Sequence, residues 1–103
     1  MQNVDLVKSF LRAQNLEQIG RTDEAIELYE DVVSHGFDAT GPYDRLISLY
    51  SNRAQHKEVQ RIADAALRHV HTHEQKREWY GEMKKAALEA DQNVPAAAPK
   101  RRA

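Results

Sequence analysis

One hundred and three residues set the size of one domain, and a formal net charge of −1 with 30% charged and 41% hydrophobic residues gives it an ordinary globular balance, without the sustained basic charge of a dedicated nucleic-acid binder. The absence of cysteine excludes disulfides and thiolate metal sites, and no apolar run approaches the ~20 residues that span a bilayer. Met1-Gln2-Asn3-Val4-Asp5 lacks the basic start and apolar run of a signal peptide, so the expectation is a soluble, cytoplasmic protein in a reducing compartment.

The apolar residues recur at helical spacing throughout. Asn3 or Asp5 caps a first helix that carries Leu6, Val7, Phe10, Leu11, Ala13, Leu16 and Ile19 and stops at Gly20. Thr22 is a natural N-cap for a second, with Asp23 and Glu24 in its first turn, Ala25, Ile26, Tyr29, Val32 and Val33 as its stripe, and His35-Gly36 at its end. The loop to Pro42 offers Thr40 as a cap, and the proline suits the first turn of a third helix, where its missing N–H costs nothing. That helix carries Tyr43, Leu46, Ile47 and Tyr50. A fourth, from about His56 to His69, has the most regular stripe: Val59, Ile62, Ala63, Ala66, Leu67 and Val70, with alanines where two helices must approach closely. Thr72 and Gln75 form a capping box for a fifth helix, which packs back through Trp79, Tyr80, Met83, Ala86, Ala87 and Ala90. Of the adjacent pair, Trp79 is the expected inward residue, because it shares a stripe with Met83 and Ala86. Residues 1–90 are the expected domain. Residues 91–103, with two prolines, several alanines and Lys100-Arg101-Arg102, read as a disordered tail.

Two stretches superpose at an offset of 34 residues: Leu16 falls on Tyr50, Gly20 on Ala54, Ala25 on Val59, Tyr29 on Ala63, Val32 on Ala66 and Val33 on Leu67. A 34-residue period of paired helices resembles the tetratricopeptide repeat family, over roughly residues 8–71. The second pair supplies the family's helix A residues as Tyr43, Leu46 and Tyr50, with Ile47 in place of a small residue; the first supplies Ala25 and Tyr29 of helix B, with Val32 for the second alanine. The resemblance implies an all-α, right-handed stack of antiparallel helix pairs, about five helices with the fifth as a cap. Such modules bind a protein or peptide in a groove lined by the A helices, without catalysis or cofactor.

By the same resemblance, the partner-binding positions are Val7, Phe10, Leu11 and Gln14 of the first pair, with Glu17 beside them, and Asp44, Arg45, Ser48 and Asn52 of the second. Ser9 and Arg12 stand where the family has a large residue and a leucine. Either the first helix is rotated and Phe10 is buried, or the groove is unusually apolar there. Gln14 and Ser48 fall where a carboxylate clamp has asparagine, so a clamp on a peptide's C-terminus is not supported.

Other constellations are weaker. His69, His71 and His73 invite a metal, but alternate spacing converges on one ion in a strand, not across a helix end. Asp23, Glu24, Glu27, Glu30 and Asp31 read as a solvated acidic face. No nucleophile elbow or phosphate loop is present, so an enzyme is not expected. Removing Lys100, Arg101 and Arg102 leaves a body of net charge about −4. The alternatives are a homo-oligomeric assembly protein, because two pairs and a cap fall short of the usual stable array, and a nucleic-acid-associated regulator using the basic end.

Overall fold

The computed structural model describes residues 3–71 and 73–93. These residues form five α-helices and no strand: α1 (Asn3–Gln18), α2 (Thr22–Ser34), α3 (Thr40–Asn52), α4 (His56–His69) and α5 (Glu74–Asn93). Each helix packs on the next. The short connections make α1–α2 and α3–α4 antiparallel hairpins. None of the described helices is long and apolar enough to cross a membrane.

The two hairpin turns repeat one another residue for residue at the 34-residue offset. Gly20 stands at φ +85° and Ala54 at φ +57°. The N–H of Arg21 bonds back to Leu16 O at 2.9 Å, and that of Gln55 to Tyr50 O at 2.9 Å. These are the six-to-one bonds of a Schellman turn, which satisfy carbonyls a helix end would otherwise orphan. Glycine takes this left-handed conformation freely; Ala54 takes it at a cost of roughly 1–2 kcal/mol.

The next helix begins at once, because the Arg21 carbonyl accepts from Ala25 and the Gln55 carbonyl from Val59. This economy overturns the expected cap: Arg21, not Thr22, is the N-cap of α2, and no side chain caps it. Ala39 likewise precedes α3 in extended conformation, placing Thr40 inside the helix. Pro42 lies in the first turn, wholly buried. The Thr72 of the expected capping box lies outside the described residues. The first helical N–H groups of α5, Lys76 and Arg77, bond instead to the His73 carbonyl. Arg77 also reaches back to cap α4, donating to Leu67 O at 2.6 Å and Val70 O at 3.1 Å.

The stripes read from the sequence form one core. Ala13, Ala25, Ala63 and Ala66 are fully buried, and their small side chains let neighbouring helices close on Tyr29, Tyr43, Leu46, Ile47, Val59 and Ile62. An aromatic side chain buries roughly 150–250 Å², so the three fully buried tyrosines, Tyr29, Tyr43 and Tyr80, carry a large share of the apolar gain.

Tyr80 is the inward residue of α5, and Trp79 is only half buried, the reverse of the expected order. Tyr80 lies one heptad before buried Ala87 and sets its ring edge-on to Tyr43, with centroids 6.5 Å apart. Its hydroxyl donates to the Asp44 carboxylate at 2.8 Å. α5 continues to Asn93, three residues past the expected domain end, and residues 94–103, with the basic cluster, lie outside the described part.

Candidate interaction surface

The helices are pinned by three knots of one design. In each, a carboxylate accepts a tyrosine hydroxyl and takes a cation from another helix. Glu17 of α1 accepts from Tyr29 of α2 at 2.8 Å and pairs in a two-pronged contact with Arg45 of α3. Glu30 of α2 accepts from Tyr50 of α3 and from both terminal nitrogens of Arg61 of α4, at 3.1 and 2.5 Å. Asp44 of α3 accepts from Tyr80 of α5 at 2.8 Å and lies 3.2 Å from Lys76. Burial first, then the facing carboxylate, pushes the hydroxyls of Tyr29, Tyr50 and Tyr80 well above the ordinary phenol range, so all three remain donors.

Glu17 has a measurable signature. Its carboxyl is held below the ordinary value of 4.5, chiefly by the hydrogen bond from Arg45; burial pushes the other way, and the Tyr29 hydroxyl adds to the lowering. A carboxyl depressed in the folded state stabilises the fold above its unfolded value, and that stability is lost as pH falls through the folded value. Glu17→Gln should therefore cost about 1–3 kcal/mol at neutral pH. The gap to wild type should shrink when denaturant unfolding is repeated at about pH 3 rather than about pH 7. An equal gap at both would exclude the ion pair as the cause.

These knots decide the fate of the expected groove residues. Asp44 and Arg45 are each paired within the chain, and the Arg45 side chain remains partly exposed. Phe10 is also turned inward: its ring lies 5.9 Å from that of Tyr29 and rests on Gly41, where an added methyl would overlap it. The reason is positional. Phe10 and Asp44 are equivalent at the 34-residue offset, and each points to the next odd-numbered helix, Phe10 to α3 and Asp44 to α5. Phe10 is thus partly buried against the core while it keeps the register of Asp44, and Val7 and Leu11 of the same helix stay exposed, so neither reading of the first helix holds as a whole.

The rest of the set lies towards the open side. Val7 is 43% exposed and Leu11 52%. Gln14 lines a groove of about 220 Å³ with Glu17, Gln18, Tyr29 and Arg45, so the structure does bring Gln14 and Arg45 together. Ser48 is half buried and Asn52 exposed. One residue was missed: Leu11, Arg45 and Trp79 are successive equivalents at 34-residue steps. Trp79 is half buried beneath the Lys76 ammonium, which stands 3.8 Å from its ring centroid. Carrying the period one step further, into α5, would have found it.

The histidines do not converge. The His69 ring packs against Gly36, the His71 side chain is exposed while its N–H donates to Asp38 at 2.9 Å, and among the described residues no three His, Cys, Asp or Glu side chains gather as a metal site. In the acidic face, Asp23 pairs with Arg53 at 2.8 Å, Glu24 with Arg21 and Glu30 with Arg61, so much of that charge joins turns and helices.

Comparison of the chain with protein-family models, curated proteins and solved structures finds no match in any of the three.

Proposed function

We propose that this chain is a non-catalytic interaction module of tetratricopeptide-like design, which holds a protein or peptide partner on the open side of α1, α3 and α5. The observation that carries this reading is the repeated hairpin: the same Schellman bonds recur 34 residues apart, so successive A-type helices present equivalent positions to one face. On that face lie apolar Val7 and Leu11, the amides of Gln14 and Gln18, Ser48 and Asn52, and the indole of Trp79. Exposed apolar and aromatic side chains amid polar neighbours are the usual material of a binding hot spot. The partner it suits is a segment with apolar anchors rather than one held by charge, because Arg45 already has Glu17.

Selection from a random peptide display library, followed by calorimetry, tests the reading. Leu11→Glu and Trp79→Ala should each weaken a selected peptide by about tenfold or more. Lys57→Glu, on exposed α4 surface, should leave its affinity unchanged. Affinity indifferent to both substitutions on the open side would place the partner elsewhere.

A further inference from the structure

A second surface lies on the outer side of α1–α2, away from α3. It is a groove of about 510 Å³ lined by Arg12, Leu16, Arg21, Glu24, Glu27, Leu28 and Asp31. Shifted by 34 residues, Arg12, Leu16, Leu28 and Asp31 become Leu46, Tyr50, Ile62 and Ala65. All four of those are buried: Leu46 and Tyr50 on α3, which packs on α2, and Ile62 and Ala65 on α4, whose Arg61 reaches Glu30 of α2. Glu27 becomes Arg61, the residue that pairs across the hairpins with Glu30. The groove therefore corresponds to the stacking face of the second hairpin, has no neighbour among the described residues and carries charges of both signs.

We propose that a second copy of this chain covers it, in a two-fold dimer. Charge complementarity selects that occupant. Arg12 is exposed and forms no ion pair among the described residues, and the same is true of Glu27 and Asp31 across the groove. A two-fold axis running along the groove lays α1 of each copy on α2 of the other. Arg12 of one then faces Glu27 and Asp31 of its partner, twice over, with Leu16 and Leu28 enclosed between. A two-fold interface must be self-complementary in this way, and a head-to-tail contact need not be. The added copy also supplies the neighbouring unit that a short helical array lacks.

Sedimentation equilibrium with charge exchange tests this. The wild-type mass should rise with concentration from 11.8 kDa towards twice that value. Arg12→Glu alone, and Glu27→Arg with Asp31→Arg together, should each be monomeric, because every cross-interface pair becomes repulsive. Mixed in equal amounts, the two variants should dimerise again, since both pairs become attractive only in the mixed dimer. Should either charge reversal unfold, the neutral changes Arg12→Gln and Asp31→Asn should each weaken the wild-type dimer about tenfold. A wild type that stays at 11.8 kDa to millimolar concentration, variants that still dimerise alone, or a mixture that stays monomeric overturns the proposal. None of these results bears on peptide affinity at Leu11, so the two readings fail separately.

Discussion

Ala66→Asp should unfold the domain. Ala66 is fully buried in α4, the helix that packs on both α3 and α5. A carboxylate there would leave water for a helix–helix contact that has room only for a methyl group. Burying an unpaired charge costs more than about 4–5 kcal/mol, against a total stability on the order of 5–15 kcal/mol for a domain of this size. Circular dichroism at room temperature should show the helical signal largely lost. Lys57→Asp, on the exposed side of the same helix, should keep it. A thermal midpoint near the wild type's for Ala66→Asp would contradict the packing of α4.

The second large effect separates two adjacent residues of α5. Tyr80→Ala removes a fully buried ring, its edge contact with Tyr43 and its hydrogen bond to Asp44. The expected loss is about 3–5 kcal/mol, with α5 loosened from α3 and α4. Trp79→Ala removes the larger side chain but should cost less, about 1–2 kcal/mol, because its ring is only partly buried, against Tyr80 at 5.3 Å and beneath the Lys76 ammonium. Denaturant midpoints of the two variants decide the matter. A greater loss for Trp79→Ala would restore the order that helical spacing alone suggests.

That pair shows where the sequence was legible and where it was not. Periodicity located all five helices, and it named the buried stripes of α2 and α3 without error: Ala25, Ile26, Tyr29, Val32 and Val33, then Tyr43, Leu46, Ile47 and Tyr50. It chose Trp79 over Tyr80 wrongly, since neighbouring residues lie about 100° apart on a helix and the order turns on a partner 36 residues away from Tyr80, Asp44. The caps failed for a different reason. Thr22 follows a turn whose carbonyl bond already starts the helix, so the threonine is not needed as a cap.

The candidate face was half legible. Val7, Leu11, Gln14, Ser48 and Asn52 keep some exposure, whereas Phe10, Asp44 and Arg45 are drawn into contacts between helices. Glu17 and Arg45 stand 28 residues apart with nothing local to couple them. Phe10 could have been assigned from Gly41, where a side chain would collide with the ring, but a glycine beside proline reads first as loop.

The most direct test of the open side as a binding face is amide chemical-shift mapping. A peptide from the display selection is titrated into the isotope-labelled chain, and its perturbations are followed residue by residue. Shifts should cluster on Val7, Leu11, Gln14 and Gln18 of α1, Ser48 and Asn52 of α3 and Trp79 of α5, with α4 silent. Shifts centred on α2 and α4, or spread through the core residues instead, would contradict it.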